Sequence, residues 1–152
     1  RQMLEHDVPP CHLFVGAAVA PQVDRGIEPI SHLPDEQFLA AIQQNFGGIP
    51  PQLVGHDELL QLVLPALRAD MHCIENYDYQ PARPLPCPIT AFGCTEDTVA
   101  SLAALGGWQS QTASTFTHRM LPGGHFFIRE RTPQVMRMVS DKLAPHKAEP
   151  QA

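Results

Sequence analysis

Two nearly continuous apolar runs, CHLFVGAAVA (11–20) and CPITAFGC (87–94), constrain the fold more than any other feature of this chain. Strands buried on both faces read this way, as they do in a parallel sheet covered by helices on each side. TFTHRML (115–121) alternates as a third strand. Helical patterns lie between the three, and strands alternating with helices imply parallel pairing through right-handed crossovers. The expected class is α/β, with a parallel sheet of about three strands.

The segments between the strands fix the rest of the layout. Arg-Gln-Met-Leu-Glu reads as the end of a helix that Pro9 and Pro10 stop. After Pro34 the acidic pair Asp35 and Glu36 opens a helix whose Phe38, Leu39, Ile42 and Phe46 share a face, and Gly47-Gly48 ends it. A second helix begins near Asp57, a good N-cap, and carries Leu59, Val63 and Leu67 in one row, widened by Leu60, Leu64, Met71 and Ile74. Pro65 is expected to kink or split it. Further helices are predicted from about Thr98 to Trp108, weakened by Gly106-Gly107, and from Pro133 to Leu143, with Pro133 in the first turn.

Composition narrows the function. Hydrophobic residues make up 43% and charged residues 17% of 152, which fits a folded domain with a core. A net charge of −6 disfavours nucleic acid as the main partner. Bases are nonetheless concentrated in Arg119, Arg129, Arg131, Arg137, Lys142 and Lys147, which would either steer an acidic partner or form an ordinary solvated face. No apolar run approaches the roughly 18 residues a membrane helix needs. Cys11, Cys73, Cys87 and Cys94 lack any CxxC grouping and the histidines any HExxH spacing. The thiols read as reduced and the location as cytoplasmic, with no metal and no cofactor expected.

Ligands of open parallel sheets collect at the carboxyl ends of the strands. Asp97 follows the second strand, and His125 follows the third on a Gly-Gly turn. An acid followed by a histidine on successive strand-to-helix loops matches the second half of a Ser…Asp…His order. Histidine exchanges protons near neutrality, and a carboxylate sets its tautomer and stabilises the imidazolium. A helix cap at Asp97 and a surface turn at His125 satisfy the same positions. Glu96 is the alternative carboxylate and ranks below Asp97.

Beyond these two residues, LPGGHFFI (121–128) resembles the stretch around the catalytic histidine of type II thioesterases, which are α/β-hydrolases. HLFVGAAVAP (12–21), SHLPDEQFLAAI (31–42), ELLQLVLPALRAD (58–70), ENYDY (75–79), PLPCPITAFG (84–93) and Trp108 are similar to that family in order, over about residues 1–143. Cys94 in place of a frequent glycine, Thr98 in place of a usual proline, and Gly106-Gly107 within a helix depart from it. The resemblance implies a partial α/β-hydrolase domain over 1–144, a helical lid inserted at about 22–84, and a flexible tail at 145–152. It makes Asp97 the triad acid and His125 the general base, with Leu60, Leu64, Met71 and Phe126 along an acyl channel. The implied partner is an acyl or peptidyl carrier protein bearing a phosphopantetheine-linked acyl group.

A nucleophile elbow reads G-x-S-x-G. No such segment occurs here, and Ser31, Ser101, Ser110, Ser114 and Ser140 all lie in other contexts. The expectation is therefore a carboxyl-terminal fragment of a thioesterase of polyketide, nonribosomal peptide or fatty acid synthesis, inactive alone for want of its serine. A non-catalytic acyl- or carrier-binding fragment and a lidded esterase are the alternatives.

Overall fold

The computed structural model describes residues 2–49 and 56–144. Arg1 and the tail expected at 145–152 lie outside the described residues. A short helix α1 (Gln2–Glu5) leads to β1 (Leu13–Gly16). An insert carrying α2 (Asp35–Phe46) and α3 (Asp57–Glu75) follows, then β2 (Ile89–Cys94). Next come α4 (Leu102–Gly106), a 3-10 turn (Gly107–Gln111) and β3 (Phe116–Leu121), and the order closes with α5 (Phe127–Glu130) and α6 (Thr132–Leu143).

The sheet is parallel, in the order β1-β2-β3. Leu13 pairs with Ile89 and Ile89 with Phe116, so the three strands run in register from their amino ends. All six residues of β2 are buried, as the unbroken apolar run requires of a central strand. Period-two alternation sends its side chains into two separate cores. Phe92 and Cys94 pack with Leu121, Phe127 and Val135 on the α6 side. Ala91 packs with Val19, Ala100 and Leu105 on the α4 side. Gly93 also faces α4, where a Cβ would overlap Leu105 and crowd the Met120 sulfur. The strand can lie this close to α4 only because that position is glycine.

The insert has a core of its own, built from Ile30, Phe38, Ile42, Leu64 and Met71. Two side chains of α3 tie the loop before α2 to it. Glu75 Oε1 accepts from the backbone N–H of Ile30 (2.7 Å) and Ser31 (3.0 Å), while Oε2 accepts from the Ser31 hydroxyl. Burial alone would raise the Glu75 pKa, but these hydrogen bonds and nearby His32 outweigh it and hold the carboxyl below its ordinary value. Arg68 donates to the carbonyls of Ser31 and Leu33, pairs with Asp35 at 2.7 Å, and lies 4.4 Å from the Phe38 ring centroid.

Several boundaries differ from those expected. The first strand is four residues, not ten, because Ala17 turns to φ 48° and the chain leaves the sheet. Being at the edge, its residues are only half-buried. Pro65 does not split α3; it is exposed, so the Gln61 carbonyl it leaves without a helical partner lies on the solvent side. Asp57 is the first helical residue, preceded by His56, which makes no side-chain cap bond. The helix expected at 98–108 begins at Leu102, capped by Ser101, whose hydroxyl accepts from Ala104 N–H at 3.3 Å. Gly106-Gly107 does not stop it but tightens it into the 3-10 turn. Trp108 Nε1 then donates to the Ala18 carbonyl at 2.7 Å, fastening this crossover to the segment after β1. No helix among the described residues is long and apolar enough to cross a membrane.

Candidate active site

Three hydrogen bonds outside the Asp97–His125 pair stitch the ends of β2 and β3 and the loops after them together. Thr95 N–H donates to Leu121 O (3.0 Å), Glu96 N–H to Gly123 O (3.1 Å), and the Cys94 thiol to Gly124 O (2.8 Å). Gly123 sits at φ 124°, a conformation that side chains disfavour, which explains the first glycine of the Gly-Gly turn before the histidine. Burial, and next the charge of Asp97, push the Cys94 thiol up to about 11. It therefore stays protonated at neutral pH and serves as a donor.

Asp97 is held from both ends. Its Oδ1 accepts from the backbone N–H of Val99 and Ala100, each at 2.9 Å. That local turn occupies residues 97–100 and is the reason α4 starts late. Its Oδ2 lies 2.8 Å from Nδ1 of His125. The Asp97 side chain is fully buried and that of His125 is 18% exposed. One oxygen of the carboxylate thus holds the local turn while the other pairs with His125, and the helix-cap role expected as the alternative for Asp97 falls to Ser101 instead. A carboxylate only accepts, so Nδ1 carries the proton and Nε2 is the ring's free acceptor. Among the described residues Nε2 has no hydrogen-bond partner. Glu96 is exposed and points to no such pairing.

His125 opens onto a cavity of about 570 Å³ whose apolar lining includes Phe46, Met71, Val99, Ala17 and Ala18. Asp24, Arg25, Glu28 and Asp78 add polar lining, and Arg25 donates to the Ile74 carbonyl at 2.9 Å. Of the four residues expected along a channel, Met71 lines this cavity. Leu64 is buried in the core of the insert, and neither it nor Leu60 reaches the cavity wall. Phe126 stands edge-on to the imidazole, centroids 5.2 Å apart, but outside the wall itself. Helical spacing marks which residues of α3 are apolar but not which of them look toward His125. Phe46 escaped the sequence reading as a site residue because it reads as core; its position directly before Gly47-Gly48 is the one signal that the helix ends there. Among the described residues no group of three or more His, Cys, Asp or Glu side chains is placed to hold a metal ion.

A sequence profile of the thioesterase domain matches residues 1–143. The chain belongs to the thioesterase family. It is 34% identical over 142 residues to Linear gramicidin dehydrogenase LgrE of Brevibacillus parabrevis, covering 91% of this chain and 54% of that one. It is 34% identical over 149 residues to Thioesterase PikA5 of Streptomyces venezuelae, covering 97% and 52%. The solved structure of the RedJ thioesterase from the prodiginine pathway of Streptomyces coelicolor superposes with a TM-score of 0.82 at 30% identity, over 93% of this chain and 56% of that one. The first of these relatives is named for a dehydrogenase and the other two for thioesterases; the family profile agrees with the latter. The three-stranded parallel sheet with its flanking helices is part of an α/β-hydrolase fold. The chain spans about half the length of the curated relatives it matches.

Proposed function

We propose that this chain carries the acid–base half of a Ser-His-Asp thioesterase. Its substrates are acyl thioesters on the phosphopantetheine arm of acyl or peptidyl carrier proteins in polyketide, nonribosomal peptide or fatty acid synthesis. The observation that carries this reading is the 2.8 Å contact between Asp97 Oδ2 and His125 Nδ1 at the wall of the cavity. Asp97 holds the tautomer in which Nε2 takes a proton from a nucleophilic hydroxyl and returns it to the departing thiol. Water then attacks the acyl-enzyme by the same route, His125 again serving as base. General base help of this kind contributes about 10²–10⁴ in rate. The inserted helices act as a lid over the acyl group.

The nucleophile is not among the serines of this chain. Ser31 is bound to Glu75, Ser101 caps α4, Ser110 bonds Gly107 and Gln22, and none of the five hydrogen-bonds His125 among the described residues. Joining the chain to the G-x-S-x-G-bearing segment of a relative tests the reading. Hydrolysis of an acyl-pantetheine thioester is expected to appear and to vanish with His125→Ala; no hydrolysis in a folded product overturns it. The missing elbow favours a second reading for the chain by itself, an acyl- or carrier-binding piece without catalysis. That reading predicts binding without any gain of turnover on completion. Faster hydrolysis of a matched oxygen ester would make the completed protein an esterase instead.

A further inference from the structure

Phe46 makes three contacts at once. Its ring packs against the buried cluster of Phe38, Ile42, Leu64 and Met71, lines the cavity of about 570 Å³, and stands edge-on to His125 with centroids 5.1 Å apart. The first contact backs the half-buried ring with a close-packed cluster, so it cannot retreat toward the insert. The end of α2 is also held from beyond. Gly48, at φ 117°, presents bare backbone to Phe126, and a Cβ there would overlap that ring. Phe126 in turn meets His125 at 5.2 Å with the planes 87° apart. The imidazole is therefore flanked by two aromatic rings, one from the insert and one from its own loop.

With Nδ1 taken by Asp97, a substrate approaches at Nε2. Reacting atoms stand about 3–3.5 Å apart, so the carbon next to a thioester carbonyl falls within roughly 5–6 Å of the imidazole. The Phe46 ring, 5.1 Å from the imidazole between centroids, stands at that same distance. We infer that Phe46 is a specificity-determining residue that admits acyl groups unbranched at the carbon next to the thioester carbonyl and excludes those branched there. The inference rests on the acyl-thioester reading of the site. A straight chain passes along the face of the ring toward Met71 and the rest of the cavity. A methyl branch needs volume that this backed ring already fills, and misfit by one such group in an apolar pocket changes selectivity about 10–200-fold.

With none of its serines hydrogen-bonded to His125 among the described residues, the chain is expected to bind the thioester without hydrolysing it, so that affinity is read at equilibrium. Butanoyl- and isobutanoyl-N-acetylcysteamine are isomeric thioesters that differ only in this branch. Titration of each, followed by the NMR shifts of the His125 ring, is expected to show the branched isomer at least about tenfold weaker on the unaltered chain. Phe46→Ala should bring the two affinities within about twofold, and Phe46→Leu, which keeps the core filled, should give an intermediate ratio. An undiminished preference in both variants overturns the role of Phe46, as do equal affinities on the unaltered chain, although equal binding leaves the acyl-thioester reading standing. If neither isomer shifts His125 in the folded, unaltered chain, that reading fails and the role of Phe46 fails with it.

Discussion

Asp97 Oδ2 and His125 Nδ1 lie 2.8 Å apart, although 28 positions separate the residues in the chain. The same carboxylate holds two backbone N–H groups through Oδ1, so its two functions are separable by substitution. Asp97→Asn leaves an oxygen for Val99 and Ala100 but offers an amide to the imidazole, which favours the wrong tautomer. In the elbow-completed protein kcat should fall about 10⁴-fold with little change in melting temperature. Asp97→Ala should add a stability loss of about 1 kcal/mol per orphaned N–H. Steady-state kinetics and thermal melts on both variants check the separation.

Cys94 and Cys87 are buried, while Cys11 and Cys73 are exposed. Burial raises both interior thiols, Cys94 to about 11. A disulfide reagent at pH 8 should therefore label two cysteines quickly and the other two only on unfolding. A folded pKa above the unfolded one means the folded state retains protons longer, so the stabilisation is complete below pH 9 and is lost as pH rises toward 11. Cys94→Ala should flatten that alkaline limb of the melting curve.

Glu75 supplies the opposite sign. Its folded pKa lies below the ordinary 4.5, so the stability it contributes is present above that pH and disappears as pH falls through the folded value. Glu75→Gln should melt below the unaltered chain at pH 7, and the difference should close under strongly acid conditions. Equal gaps at both pH values would show that packing, not ionisation, holds the Ile30–Ser31 loop.

Gly93→Ala should destabilise the sheet by about 1–3 kcal/mol, since the added methyl overpacks a formed core. The overlap falls on Leu105 and Met120, which close the α4 face. Chemical denaturation measures the loss; a variant as stable as the original would mean α4 can retreat from β2 at no cost.

The parallel sheet, the two insert helices and the loops bearing Asp97 and His125 were legible because each depends on a local pattern: apolar runs, 3.6-residue spacing, and polar residues at strand ends. What escaped depends on particular hydrogen bonds and tertiary contacts that no local pattern announces. Asp97 uses the N–H groups of Val99 and Ala100, so a helix cannot start at Thr98. Ala17 donates its N–H to Phe92 O while at φ 48°, and no pattern in GAAVA announces that turn. FFI, apolar enough for a strand, winds into α5 because Phe127 and Arg129 N–H return to Gly124 and Phe126 carbonyls. The family resemblance implied a channel along Leu60, Leu64 and Met71, yet only Met71 of these lines the cavity, because resemblance fixes the helix and not which of its apolar side chains turns toward His125.

The pairing of Asp97 with His125 is tested most directly by nitrogen-edited NMR of the imidazole. In the unaltered chain the Nδ1 proton should give a far-downfield resonance that exchanges slowly with water, because the carboxylate accepting it is fully buried. Asp97→Ala should erase that resonance while the remaining amide spectrum stays dispersed. The same resonance persisting in Asp97→Ala, or missing from the folded unaltered chain, would contradict the pair.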